Sequence, residues 1–267
     1  MSLPYPHGRE GECSAMDLEL KHYNQKEVWE IYAENTTEIA RAKETVTYIP
    51  DEVASVLDIG CGNGIITNLI DREVVIGMDF ADLPLKNVKK DAVRASIDSL
   101  PFKRDTFDLV LMTEVLEHLP NRVYRKALRE IGRLQAKYLL ISIPFEENLE
   151  ANQCKCGSCG SIFHPAHHYR TFNEDWFVEE FPDYDAMLVR YTTYKTAPNP
   201  HLVRLRHRCR TYSGYRNASC PECGGRAAQP RIILRYAFGA LDLLDKKVKE
   251  SFRITRPCHQ VVLLMRR

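Results

Sequence analysis

The sequence predicts an α/β fold: a doubly wound, seven-stranded and mostly parallel sheet with an antiparallel last strand. Three observations carry this. Short β-branched runs alternate with segments of helical period, a glycine-rich turn follows the first run, and a long cysteine-bearing stretch precedes the final run.

From Tyr23 to Tyr48 the apolar positions Val28, Ile31, Tyr32, Ile39, Ala42 and Val46 recur at spacings of three, four and seven, which predicts an amphipathic helix beside or over a ligand site. Ser55 to Ile59 reads as a buried strand entering a tight turn and then a helix from Ile65 to Ile70. Glu73 to Asp79 reads as a second strand. A short helix near Leu83 to Lys90, a third strand near Val93 to Ile97 and a fourth from Phe107 to Thr113 come next. Asn121 to Gln135 is patterned as an amphipathic helix, and Lys137 to Ile143 as a fifth strand stopped by Pro144. Strands joined through helices in this rhythm take right-handed crossovers, which puts helices on both faces of the sheet.

Asn173 to Phe181 then predicts a helix, Ala186 to Tyr194 a sixth strand and Gln260 to Met265 the last. The roughly 65 residues between those two strands exceed an ordinary connection, so they have structure of their own. Within them, Ile232 to Lys249 is patterned as an amphipathic helix with Ile233, Tyr236, Ala237, Leu241, Leu244 and Val248 on one side, a face whose default partner is the core and whose alternative is a membrane surface. The expected organisation is an N-terminal helical cap over residues 1–50, a ligand-binding core over 51–150, a lid elaboration with the sixth strand over 151–257, and the last core strand over 258–267.

Apolar residues make up 44% of the 267 and charged residues 27%, a composition ordinary for a soluble globular protein and one that does not indicate disorder. No run of about 18 apolar residues is present to span a bilayer, and the first sixteen residues lack the apolar stretch of a signal peptide, so the expected location is cytoplasmic. A net charge of +1 points to no partner. The charge is uneven, however: residues 190 to 235 hold Arg190, Lys195, Arg204, Arg206, Arg208, Arg210, Arg216, Arg226, Arg231 and Arg235 against Glu222 alone. Such a segment attracts an anionic small molecule, nucleic acid or an acidic membrane, or is a solvated face. Tyr191, Tyr194, Tyr212 and Tyr215 stack equally well on bases or sugar rings.

Gly60, Gly62 and Gly64 stand where a strand bends into a helix, a place where backbone approaches a ligand without a Cβ in the way. Asp58 ends that strand, and Asp79 ends the next, where an acid binds ribose hydroxyls. An acid at the turn repels a pyrophosphate and suits an ammonium or sulfonium. VLDIGCGNG at 56–64, GMDF at 77–80, DSLPF at 98–102 and FDLVLMTEVLEHL at 107–119 resemble the successive motifs of class I, Rossmann-like, S-adenosylmethionine-dependent methyltransferases. The likeness covers residues 55 to about 145. It implies that Asp58, Gly60, Cys61, Gly62 and Gly64 line the methionine moiety, that Asp79 takes the ribose, and that Phe80 flanks the adenine. It further implies that Asp98 and the Ser99 amide read the adenine edge and that Glu114 lies near the methionine end. Plainer readings stand beside these: Asp98 as a loop acid capping a turn, Glu114 as a helix-start acid and His118 as a packed histidine.

Cys156-Gly-Ser-Cys159-Gly and Cys220-Pro-Glu-Cys223-Gly are two C-x-x-C-G units, the form of a zinc knuckle. Six of nine cysteines fall between 154 and 223, and in a reducing compartment metal binding is the better reading than disulfides. The expected metal is one structural Zn²⁺ on Cys156, Cys159, Cys220 and Cys223, with Cys154, Cys209 or His164 able to replace one of them; a redox dithiol or free thiols are the alternatives. Both units depart from strand carboxyl ends, so a zinc joining them would staple a lid over the ligand rim.

HPAHHYRTF at 164–172 offers His167 and His168 as candidate general bases, or as a surface pair or zinc-side support. The function expected is transfer of the sulfonium methyl of S-adenosylmethionine to an oxygen or nitrogen of a small-molecule or glycan-type acceptor. The alternatives are an RNA methyltransferase using the basic insertion and a non-catalytic zinc-dependent module on this fold.

Overall fold

Leu109 and Leu111 face one side of the central strand β4 (Leu109–Thr113) and Val110 and Met112 the other, because successive side chains on a strand alternate. Strand β5 (Tyr138–Pro144) repeats the division, with Tyr138 and Leu140 on the first face and Leu139, Ile141 and Ile143 on the second. Both faces are therefore apolar, and both must be covered. The computed structural model describes residues 35–267 except 214, 216, 217 and 231, together with 19, 20, 22–26 and 29. Val28, Ile31 and Tyr32 of the expected first helix, and Arg216 and Arg231 of the basic segment, lie outside the described residues.

One face is covered by α1 (Thr36–Val46), which contributes Ala42, and by Ile49, Val53, Ile66 and Ile70. On the other face lie α3 (Asn121–Leu134) and α4 (Trp176–Glu180); α2 (Asp82–Leu85) is a single turn between strands. Tyr124, Ala127, Ile131 and Leu134 line the buried side of α3 at three- and four-residue spacings. Burying a side chain such as Ile131 or Leu134 contributes about 1.5–3 kcal/mol, so this stripe is what holds the helix to the sheet.

The remaining strands are β1 (Ser55–Ile59), β2 (Val74–Asp79), β3 (Asp91–Arg94), β8 (Tyr184–Lys195) and β9 (Arg256–Arg266), in the order β3-β2-β1-β4-β5-β9-β8. β9 is antiparallel to both its neighbours, so β8 runs with the first five strands. The seven-stranded, mostly parallel sheet with a reversed last strand is thus the observed architecture. A separate hairpin of β6 (Cys154–Lys155) and β7 (Ile162–Phe163) stands apart from it.

Four expectations change. The expected helix from Tyr23 to Tyr48 is interrupted at Asn35, whose extended backbone and side chain cap α1 by accepting from the Thr37 and Glu38 amides. The expected helix from Ile65 to Ile70 is one 3-10 turn, Thr67–Leu69, because Thr67 and Asn68 direct their side chains at Asp58, Asn87 and Lys89 and the chain must begin β2 at Val74. Helix α5 (Pro200–Arg208) stands where no helix was expected, although Asn199 caps it and Pro200 occupies its first turn. Finally, α6 (Ile232–Ser251) packs through Phe238, Asp242 and Asp245, not through its apolar face: Ile233 is 82% and Tyr236 74% exposed.

Candidate active site

Strand β1 stops because the backbone turns through left-handed conformations at Gly60 (φ 71°), Gly62 (φ 52°) and Gly64 (φ 76°). A Cβ on Gly60 would lie 2.5 Å from Val115, and one on Gly62 2.5 Å from the Trp29 ring, so two positions demand glycine on grounds of space as well as φ. The Gly60 and Cys61 amides both donate to the Met78 carbonyl of β2, at 2.7 and 3.0 Å. The turn is thereby clamped to the adjacent strand, at the carboxyl edge of the sheet.

A cavity of about 270 Å³ opens there. Of the residues expected to bind a cofactor, Asp58, Gly60, Cys61, Gly62, Asp79, Phe80 and Glu114 line it, whereas Gly64, Asp98 and Ser99 do not. A Cβ on Gly64 would lie 3.0 Å from Asn68 and 3.2 Å from Val88, which makes this glycine part of the turn's structure. Asp98 accepts from Ser96 Oγ at 2.6 Å and lies 3.5 Å from Lys126 Nζ, while Ser96 and Ile97 take the place on the wall.

Asp58 is buried, accepts only from Thr67 Oγ1 (2.6 Å) among the described residues, and sits near Asp79. Burial, aided by the Asp79 charge, pushes its carboxyl up to about 7. Asp79 accepts from the Gly62 amide (3.0 Å) and the Ala81 amide (2.9 Å); burial raises it too, against those bonds. Two buried acids that form no ion pair among the described residues make an electrostatic hole for a positive ligand.

Glu114 has a left-handed backbone (φ 54°) at the end of β4, and its carboxylate is already engaged by Ser142 Oγ (2.8 Å), Arg41 (3.1 Å) and His259 (3.2 Å). Burial opposes its charge, yet the His259 bond and the Arg41 guanidinium overcome this and hold it at about 2. Arg41 and His259 were not among the expected site residues. No local pattern marks them, since α1 and β9 bring them to β4 only in the folded chain.

The two histidines expected as bases stand elsewhere than on the cavity wall. His167 is buried, with Nδ1 3.0 Å from Glu19 Oε1 and Nε2 2.8 Å from the Ser219 carbonyl. Both ring nitrogens face acceptors, so both carry protons and neither offers a lone pair. Burial works against that charge, but Glu19 outweighs it and raises His167. His167 is a tie between the N-terminal segment and the second cysteine loop. His168 Nδ1 lies 2.5 Å from Glu147, and its ring meets His118 edge-on at 4.7 Å between centroids. His118 is the histidine on the wall, with Nδ1 3.2 Å from the Tyr23 hydroxyl, and burial keeps it neutral at pH 7.

The Sγ atoms of Cys156, Cys159, Cys220 and Cys223 all lie within 4.8 Å of one another, with Cys156 to Cys223 at 3.6 Å and Cys159 to Cys220 at 3.7 Å. Four thiolates at the usual 2.3 Å from a tetrahedral zinc are about 3.8 Å apart, so these separations fit that ion. Backbone bonds from Gly157 to Arg226 (3.0 Å) and from Ala228 to Lys155 (2.7 Å) pair the two loops. Cys154 and Cys209 are outside the group, and His164 turns instead to Glu147, 3.4 Å away.

Residues 57–137 match the family model described as a methyltransferase domain. An uncharacterized protein of Methanocaldococcus jannaschii is 46% identical over 81 residues, 30% of this chain and 35% of that protein. The ubiquinone biosynthesis O-methyltransferase of Bartonella quintana is 29% identical over 92 residues, 30% of this chain and 37% of that one. This chain therefore spans little more than a third of the length of those relatives. A Burkholderia thailandensis 1,6-didemethyltoxoflavin-N1-methyltransferase, solved with bound 1,6-didemethyltoxoflavin and S-adenosylhomocysteine, shares the fold with a TM-score of 0.55 at 14% identity, covering 99% of this chain and 93% of its own.

Proposed function

With a methyltransferase domain as the premise, we propose that the protein moves the methyl group of S-adenosylmethionine onto an oxygen or nitrogen of a small-molecule or glycan-type acceptor. The observation that carries this reading is the pair of buried carboxylates, Asp58 and Asp79, set around the Gly62 turn at one cavity. The fit is chemical. An ammonium and a sulfonium answer two buried acids that only neutral donors touch among the described residues, whereas a phosphate in the same place would be repelled.

When bound, S-adenosylmethionine supplies an electrophilic methyl on a positive sulfur. The chain's own residues do the rest. Asp58 and the bare backbone at Gly60 and Gly62 receive the methionine end, and Asp79, fixed by the Gly62 and Ala81 amides, receives the ribose. Phe80 packs by the adenine, with Ser96 and Ile97 beside it on the wall. Tyr23 and His118, hydrogen-bonded to each other, stand where an acceptor would enter, and alignment is the main requirement of methyl transfer.

The four clustered cysteines are read as the ligands of a structural zinc, since an all-thiolate set leaves no position open for water. Names of relatives support an oxygen or nitrogen acceptor. The test is calorimetric titration with S-adenosylmethionine and S-adenosylhomocysteine, followed by transfer of labelled methyl to a panel of hydroxyl and amine acceptors. Micromolar binding of both ligands is the expected result; failure to bind either one sinks the reading.

A further inference from the structure

Behind the cavity wall lies a second group of metal-ligating side chains, separate from the cysteines. Glu117 follows Glu114 by one turn of chain and is wholly buried, and neither of its carboxylate oxygens has a hydrogen-bond partner among the described residues. Its backbone is held in place by the Tyr169 amide, which donates to the Glu117 carbonyl at 2.8 Å. A buried carboxyl with nothing bonded to it is costly, and such groups in folded proteins are paired or coordinate an ion.

What Glu117 faces is a set of imidazoles. His118 Nε2 is 3.9 Å from Glu117 Oε1, and ligand atoms of Glu117, His118 and His168 all lie within 4.8 Å of one another. Tyr23 engages Nδ1 of His118, which leaves Nε2 towards Glu117. Glu147 engages Nδ1 of His168, and Nε2 makes no hydrogen bond among the described residues, the arrangement by which a carboxylate fixes the tautomer of a metal-bound histidine. His164 stacks on His168 at 4.7 Å, and its buried Nε2 lies 3.4 Å from Glu147 Oε1, so one carboxylate steadies both rings.

We propose that Glu117, His118 and His168 form a binding site for a divalent transition-metal ion of the zinc type, with Glu147 and His164 as its outer support. Two imidazoles and one carboxylate suit Zn²⁺, Fe²⁺ or Co²⁺ better than Mg²⁺ or Ca²⁺. Ligand atoms bound to such an ion are about 3–3.5 Å apart, so small side-chain rotations close the set around it. Three protein ligands leave a coordination position open, unlike the closed thiolate set. Since His118 is shared with the cavity wall, the ion would stand beside the entering acceptor, where it would ease loss of a proton from a hydroxyl to solvent. That last consequence rests on the methyltransferase reading; ion binding itself does not.

The experiment is equilibrium dialysis of the whole chain against Zn²⁺, read by elemental analysis, together with visible spectra of the Co²⁺ form. The intact chain should bind one equivalent more than Glu117→Gln or His168→Asn, and this difference is independent of what the cysteines hold. The weak bands of nitrogen- and oxygen-bound Co²⁺ should vanish in both variants while any thiolate-to-cobalt bands remain. Glu147→Gln, which keeps all three ligands, should weaken the second equivalent about 10- to 100-fold. Equal stoichiometry and spectra in the intact chain and folded variants overturn the proposal. Should both ligand variants fail to fold, an unchanged second affinity in Glu147→Gln overturns it as well. Calorimetry with S-adenosylhomocysteine on the same samples reads the methyl-donor site separately, so failure of one reading is distinguishable from failure of the other.

Discussion

Asp79 accepts the backbone amide of Gly62 at 3.0 Å, so the acid that ends the second strand also holds the glycine turn that ends the first. Replacing Asp79 with Ala removes a ribose partner and loosens the turn together. S-adenosylmethionine binding should weaken by about 1–3 kcal/mol, the cost of losing charged hydrogen bonds. Calorimetry checks this, and an unchanged dissociation constant removes Asp79 from the site.

Asp58 sets a pH dependence. Its folded-state carboxyl is raised to about 7 from 3.8, so its contribution to stability is fully present below 3.8 and is lost as pH rises through about 7. A cationic ligand binds the ionised form, so its binding drives off a proton at neutral pH. Affinity should improve up to about tenfold per pH unit between 5 and 7 and then level off. Calorimetry in buffers of different ionisation enthalpy measures the proton released; Asp58→Asn should abolish it.

Arg41 and Glu114 form a half-buried ion pair at 3.1 Å on the cavity wall. Arg41→Ala should lower stability by about 1–3 kcal/mol at pH 7. The folded Glu114 carboxyl is depressed from 4.5 to about 2, so the stabilisation is present above pH 4.5 and disappears as pH falls through about 2. Denaturant melts at pH 7, 4 and 2.5 should show the gap between intact and variant chains closing. A gap that stays constant would falsify this origin.

Cys220→Ser should release the zinc assigned to the thiolates and unfasten the second loop from the first. Hydrogen exchange should then rise in residues 154–163 and 218–228, while the buried strands β1, β4 and β5 keep their protection. Protection unchanged in both loops would mean that backbone pairing alone holds them.

How much of this could be read from residues alone varied with range. Strand and turn positions near Asp58 and Asp79 were legible because apolar runs, glycines and acids sit within a few residues of one another. The paired cysteine units were legible for the same reason. The role of His118 and the place of His259 were not. One needs Tyr23 from the N-terminal segment to show its role, and the other reaches Glu114 only because β9 inserts beside β5. The exposed side of α6 misled in the opposite direction: helical periodicity marks an apolar face, but the contacts of Arg206 and Asn199 with Asp242 and Asp245 decide which face packs.

The position of β9 between β5 and β8 has a consequence for how the chain is made. When β8 leaves the ribosome, the strand that joins it to the sheet is still about 60 residues away, some 3 to 12 s at ordinary translation rates. Throughout that interval β5 and β8 both present unpaired edges, the kind of surface on which nascent chains associate wrongly. The cysteine loops are complete before β9 is, so closing them first would bring the chain back towards β5 and shorten the search by which the last strand finds its slot.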